Sequence, residues 1–416
     1  MFPKKPYKNK MISILKNNEN LTTFKFYSSF LKEVALYIKE NENIDFKLVE
    51  YGDDLVHESN YRVDPITIPL LLSLIEQLSK FYKKPIELSL YNNQATKDVL
   101  KFLMSSDFFN ISGDNVNPYF PYGRNILKFD KRYLGDFSNK DPRPEHRVRC
   151  YSLNDNNLFK KLEEYESEDE KRDYLISIYT YIVREHFQEL LFDNINTSLK
   201  SDFYIEILSE LITNGVLHSK SNTFALMFVN KFSTKFSISD NGIGFEESLN
   251  SKEESFIYKP LELKNKLDSF KILKVNDKVL NNLNYIMETL FFSSLKDRRG
   301  LFDLMTSVVL NSNGYFRLHT NNAQIIISNR MRDELNELNI LRNTLFNLYK
   351  NIAINKIEDT GYNEEMISIK NDILNFFVKF YHNLCNKYNN DFKYSSIRFY
   401  NVRFKGVHIE VEIPTA

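Results

Sequence analysis

Glu210 and Asn214 stand four residues apart in "SELITNGVLHS", and His218 follows four residues further on. In a helix that spacing puts all three on one face, one turn apart. A carboxylate and a carboxamide so placed suit two tasks. Asn214 offers its side-chain oxygen to Mg²⁺, a hard ion that takes oxygen ligands, and Glu210 orients or deprotonates a water. The same pattern describes a solvated helix face, and His218 reads either as a phosphate contact or as a helical histidine packed beside a sheet. A second group lies downstream in "SISDNGIGFEES". There a β-prone run, Phe236-Ser237-Ile238-Ser239, reaches an acid at Asp240 and breaks at Gly242 and Gly244, in a chain with only 11 glycines. A strand-terminal carboxylate accepts a hydrogen bond from an exocyclic amine, and glycines let a flat base lie against backbone. That is the chemistry of adenine recognition, while Asn241-Gly242 is also an ordinary turn signal.

These residues need elements to hold them. A helix carries "FYIEILSELITNGVLHSKS", with Leu208, Leu211 and Ile212 as the apolar stripe that leaves the polar face free. Strand candidates "TFALMFVN" and "KFSISD" lead to the glycine turn. Upstream, a helical region runs from Tyr174 to Phe192 behind the charge-dense "KKLEEYESEDEKRDYL", which reads as a solvated helix face. Downstream, residues 246–299 are polar, lysine-rich and without glycine, and end in Lys296-Asp297-Arg298-Arg299. A helix from Gly300 to Leu310 follows, then a turn at Gly314 and a β-hairpin, "YFRLHT", "NN", "AQIIIS". Residues 331–394 are helical, with Leu335, Leu338, Leu341, Leu345 and Leu348 on one stripe and Phe376, Phe377, Phe380 and Leu384 on another. The closing "SIRFYNVRFKGVHIEVEIP" alternates as a strand, so the helical detour reads as an insertion.

Taken in order, the motifs resemble the Bergerat-fold ATP-binding family, the GHKL or histidine kinase-like group of DNA gyrase, MutL and the histidine kinases. "ELITN" resembles its N box, "DNGIGF" its first glycine box, "RRGLFDLMTSVVLNSNGYFRLHT" its second glycine box with the following helix and hairpin, and "FKGVHIEVEIP" its closing strand. The resemblance covers about residues 175–330 and 395–416. It implies an α/β sandwich, a mixed sheet with helices on one face. It also implies roles: Glu210 activates water, Asn214 ligates Mg²⁺, Asp240 contacts adenine, and Gly242 and Gly244 form the turn beneath the base. Arg298, Arg299, Gly300 and His218 are the residues it directs to the phosphates. The family's second box commonly has two glycines where this chain has Gly300 behind two arginines, so guanidiniums and a helix N-terminus would replace part of a backbone cradle. Its closing strand commonly has Thr where this chain has Val407. Residues 246–299 fall where the family closes a lid over the triphosphate. A mobile lid is therefore expected, with a fixed helical pair around Leu280, Leu283, Ile286 and Leu290 as the alternative. His186, in "REHFQELLF", is the one histidine resembling a phosphoacceptor, outside the sequence context of the histidine-kinase box.

Residues 44–130 alternate as βαβαβ: "IDFKLVEYG", "DPITIPLLLSLIEQLSKFY", "PIELSLYN", "ATKDVLKFLMSSDFF" and "NILKFD". This region faintly resembles the STAS-like modules that partner such ATPases in bacterial regulation. Where those have a phosphate-accepting hydroxyl after the Asp at the helix start, this chain has Pro65 and Ile66 after Asp64, leaving Thr67, so a structural version of the module is expected. Residues 135–150 read as a linker. The 416 residues carry 55 basic and 55 acidic side chains, so no global field favours nucleic acid or an acidic membrane. The longest apolar stretch, Ile66 to Ile75, is about half of a bilayer span. No apolar run of a signal peptide follows the basic N-terminus. Two distant cysteines, Cys150 and Cys385, point to a reducing compartment, and the expectation is a cytoplasmic bacterial protein.

The expected architecture is therefore α/β: an N-terminal βαβαβ module over residues 1–150, then a Bergerat ATPase domain over 151–416, with a lid at 246–299 and the insertion at 331–394. The expected function is a regulatory protein that binds Mg-ATP and switches conformation with slow hydrolysis. Two alternatives stand beside it. One is a protein kinase of the anti-sigma or histidine-kinase type, phosphorylating a partner or its own N-terminal module; the other is an ATP-binding module without turnover. ATP, Mg²⁺ and a protein partner are expected, and a homodimer is compatible with the reading.

Overall fold

The computed structural model describes residues 11–40, 43–52, 60–114, 123–134, 146–219, 221–270, 273, 275–355, 360–388 and 395–415, except the side chains of 156, 218, 219, 353–355, 360, 361, 387 and 388. The architecture is mixed α/β. The chain divides into two compact units, Met1–Cys150 with Phe224–Leu226, and Tyr151–Thr223 with Met227–Ala416.

The first unit is built on strands β1 (Ile12–Leu15), β2 (Glu19–Leu21), β3 (Asp45–Val49), β4 (Tyr61–Val63), β5 (Ile86–Ser89) and β6 (Leu127–Lys128). The order β1-β3-β5-β6 is a parallel sheet, and β2 and β4 pair in parallel beside it. The three strands expected from the sequence are β3, β5 and β6, lying side by side; the short β1, β2 and β4 are additions. Between β4 and β5 the helix Ile68–Tyr82 has Pro69 in its first turn, where no N–H is missed. It buries Leu71, Leu72, Leu74, Ile75 and Leu78 and stops at Lys83, in the left-handed conformation. Thr67 is fully buried, and its hydroxyl has no hydrogen-bond partner among the described residues. It is packed as a core residue and offers no exposed phosphate acceptor. The expected linker at 135–150 lies mostly outside the described residues.

In the second unit β9 (Ser233–Asp240), β10 (Tyr315–Ile327) and β11 (Ile397–Pro414) pair in the order β10-β11-β9; β7 (Arg149–Tyr151) and β8 (Thr223–Val229) are strands whose residues are divided between the two units. β11 runs antiparallel to both β10 and β9, with Ile409 opposite Ile238 and Val411 opposite Phe236. Alternation puts these apolar residues on one face. There Phe236 meets Phe187 of the helix Glu168–Phe192, ring centroids 5.8 Å apart. That helix starts earlier than the expected Tyr174, because Ser167 and Glu170 form a reciprocal capping box.

One expectation is corrected. "NN" makes no hairpin turn: β10 is one continuous strand, irregular at Thr320, Asn321 and Ala323, paired along its length with β11. The two asparagines are taken up as a bulge that the helix Asp277–Ser294 stabilises, Asn282 donating to Asn322 at 2.6 Å and accepting from Asn321 at 3.1 Å. The span 246–299 contains packed helices. The helix Asp277–Ser294 buries Leu280, Leu283, Ile286 and Leu290. Its Glu288 accepts from the backbone N–H of Lys264 at 2.8 Å and from the Tyr258 hydroxyl at 2.9 Å, tying the helix Glu262–Asp268 to it. Residues 331–394 are helical as expected over Arg332–Asn355 and Thr360–Tyr388. Among the described residues, no helix is long and apolar enough to cross a membrane.

Candidate functional site

A pocket in the second unit is walled by the helix Ser201–Ser219, the end of β9 with its glycine turn, β11, and the helix Asp277–Ser294 with the loop that follows it. Counting its open mouth, the space is about 850 Å³. Glu210, Asn214, Asp240, Gly242, Gly244 and Gly300 all line it, so six of the residues singled out from the sequence converge.

Asp240 closes β9. Its Oδ1 accepts from the backbone N–H of Gly242 at 2.7 Å, which shapes the turn, and from that of Val407 at 3.4 Å. Gly406 makes the approach feasible: at φ +100°, a Cβ on it would stand 2.0 Å from the carbonyl oxygen of Asp240. Gly244 also has positive φ, +78°, at the start of the helix Gly244–Asn250. Gly215 lets the Glu210 helix close on β8, since a Cβ there would meet the Thr223 hydroxyl at 2.7 Å. Burial pushes Asp240 up to about 7, against the two backbone N–H groups that favour its charged form. No cation figures among the causes of that shift.

Glu210 has the opposite setting. Its Oε1 is ion-paired with Arg172 of the helix Glu168–Phe192 and with Lys296 Nζ at 3.3 Å, and the Asn214 amide nitrogen lies 3.5 Å away. Oε2 is buried and has no hydrogen-bond partner among the described residues. Burial would raise its pKa, but Lys296, Arg172 and Arg298 outweigh burial and hold it below the usual range. Lys296 is pushed down to about 8 by burial and by the neighbouring Arg172, with Glu210 opposing. Lys252 also lines the pocket, and burial and Arg172 lower its pKa. Lys296 and Lys252 lie over the Phe292 ring, 5.0 and 5.7 Å from its centroid.

Arg298 and Arg299 do not line the pocket. Arg298 pairs with Asp173 at 2.8 Å, and Arg299 pairs with Asp303 at 2.7 Å and lies over Phe346, 4.0 Å from its ring centroid. Local carboxylates and an aromatic face have captured both guanidiniums, so the cations of the site are Lys296, Arg172 and Lys252 instead. Arg172 escaped the sequence reading because it sits in a stretch dense with charge. The side chain of His218 lies outside the described residues. His186 is half-buried, its Nδ1 2.9 Å from the Tyr151 hydroxyl.

Among the described residues, no group of three or more His, Cys, Asp or Glu could hold a metal ion on its own. The expected Mg²⁺ ligand, Asn214, would therefore have to act together with phosphates and waters rather than within a protein cage. With its nitrogen turned to Glu210, Asn214 has its Oδ1 for such a role. No protein-family model, curated protein or solved structure matches the chain; the site is read from its own geometry.

Proposed function

We propose that this chain is an ATP-binding regulatory protein of the Bergerat (GHKL) class, binding Mg-ATP in this pocket and turning it over slowly. One observation carries the reading: a single pocket joins a cation-free carboxylate at a glycine turn, Asp240, to a second carboxylate, Glu210, set among Arg172, Lys252 and Lys296. Asp240 accepts the exocyclic amine of adenine, with Gly242 and Gly244 beneath the base. The three cations take the phosphates, and Asn214 Oδ1 is the protein ligand for Mg²⁺. Mg²⁺, when bound, supplies charge neutralisation on the phosphate oxygens. Glu210 Oε2, having no protein partner among the described residues, orients the attacking water and accepts its proton. A carboxylate held below its usual pKa by three cations is a weak base, which fits slow turnover.

The same ion cluster favours a second reading, ATP binding without turnover, if Arg172 and Lys296 never release Glu210. The test is to incubate the purified protein with Mg²⁺ and γ-labelled ATP, beside calorimetry of binding. Label released as free phosphate supports hydrolysis, label on protein supports the kinase alternative, and binding with neither supports the pure binder. No ATP binding at millimolar nucleotide would sink the proposal.

A further inference from the structure

The helical insertion reaches the phosphate end of the pocket through its backbone contacts. Arg342, on the helix Arg332–Asn355, is fully buried. Its guanidinium donates to the carbonyl oxygen of Lys296, to that of Arg298 at 2.9 Å and to Asp303 Oδ2 at 3.3 Å. Two turns on, the Tyr349 hydroxyl donates to the carbonyl oxygen of Leu295 at 2.7 Å. Phe346, between them on the same face, lies under Arg299 and Arg342, 4.0 and 4.9 Å from its ring centroid. One face of one helix thus holds the backbone of residues 295–298 and the side chain of Arg299.

A buried guanidinium is costly unless its rigid fork of donors finds acceptors. Most of the acceptors here are carbonyls of the loop itself, so the two terminal nitrogens of Arg342 are satisfied only when the loop keeps this conformation, while its Nε–H has no partner among the described residues. In this conformation Lys296 Nζ points to Glu210 within the pocket wall. Lys296 is a flexible side chain on a loop that follows the last turn of the helix Asp277–Ser294. Its aim is set by where its own carbonyl is pinned.

We propose that Arg342, assisted by Tyr349, is a positioning residue that holds Lys296 in reach of the nucleotide phosphates, so that the helical insertion sets the phosphate affinity of the site. This rests on the ATP reading above.

The test is a double-mutant cycle on ATP affinity by calorimetry, with thermal melts to verify folding. Arg342→Lys keeps the charge and loses the fork; Tyr349→Phe removes one hydroxyl; Lys296→Met removes the positioned cation. Each of the first two should weaken ATP binding, Arg342→Lys by about tenfold and Tyr349→Phe by about threefold. In a Lys296→Met background neither should weaken it further. The loss of affinity at alkaline pH should also move to higher pH in Arg342→Lys, because a Lys296 released from its buried place beside Arg172 returns towards its ordinary pKa. Equal losses with and without Lys296 would overturn the proposal and leave Arg342 structural. So would unchanged affinity in Tyr349→Phe, which decides the matter if Arg342→Lys does not fold. ATP binding by wild type that weakens in Lys296→Met and not in the clamp variants would defeat this inference alone. Failure of wild type to bind ATP would defeat the underlying reading.

Discussion

Two carboxylates line one pocket and are driven in opposite directions. Asp240 is raised to about 7 because burial acts on it and only two backbone N–H groups oppose. Glu210 is buried as well, yet lies below its ordinary value because cations surround it. The difference separates their tasks. A buried carboxylate without a cation is uncomfortable when ionised, and a ligand that supplies a donor relieves it. A carboxylate already in an ion cluster gains little from another donor and acts only when its cations are drawn elsewhere, which phosphates would do. On the ATP reading proposed above, environment, rather than residue type, assigns recognition to one and chemistry to the other.

The comparison breaks most severely at Gly406. Gly406→Ala would place a methyl 2.0 Å from the Asp240 carbonyl at φ +100°, so β11 must move off β9 there. Strain and overpacking together should cost about 3 kcal/mol or more. Urea unfolding should show that loss, with ATP binding abolished; stability like wild type would mean that β11 does not pin Asp240.

Asp240→Asn should keep the fold and weaken ATP binding by ~1–3 kcal/mol, roughly 5- to 150-fold, because an amide can present a donor to the adenine amine. The pH dependence sharpens this. Asp240 has a folded pKa above its unfolded one, so its contribution to apo stability is present below about pH 4 and lost as pH rises through about 7. ATP needs the ionised acceptor, so affinity should rise over the same interval. Above pH 8 it should fall again as Lys296 loses its proton. Stability and affinity moving together across pH 5–7, or a pH profile unchanged in Asp240→Asn, would show that Asp240 is not the acceptor.

At the other end, Glu210→Ala should retain ATP binding, and tighten it several-fold, because Arg172 and Lys296 are then free for phosphate. Turnover should drop by about 10²–10⁴-fold. Phosphate release at the wild-type rate would remove Glu210 from the chemistry and leave it a counter-ion.

The halves of this comparison were not equally legible in the sequence. Glu210 with Asn214 follows from helical spacing, and Asp240 with its glycines from a strand meeting a turn; both signals are local. The cations are not local. Arg172 lies among acids and lysines and is distinguished only by the helix packing that turns it to Glu210. In Lys296-Asp297-Arg298-Arg299 the sequence offers three cations, and other groups choose among them: the distant Asp173 and Phe346, with Asp303 one turn on from Arg299, hold the arginines and leave the lysine. The same limit explains the misread hairpin, since the Asn321 and Asn322 bulge is stabilised by Asn282 from another element. The alternation of β11 announces a strand, but not that its polar residues are buried too. His408 and Glu410 are both inside, Glu410 ion-paired with Arg317.

The smallest expected effect concerns residues 246–299, where packing sets how much of the phosphate end can move. Glu288 binds both the Lys264 N–H and the Tyr258 hydroxyl from a helix whose Leu283, Ile286, Leu290 and Phe291 are fully buried, so the middle of the span is anchored before any ligand arrives. Lys252 and Lys296, by contrast, are pocket cations on the loops at either end of that anchored body. A non-hydrolysable ATP analogue should therefore leave hydrogen exchange over 277–294 unchanged and already slow, and add protection only near 246–256 and 295–300. ADP, without the γ-phosphate, should add less at 295–300. Protection gained along all of 246–299 would mean that the span closes as one lid and that the Glu288 tie opens in the free protein. The cations of the Glu210 end would then be brought in by the nucleotide rather than held in wait for it.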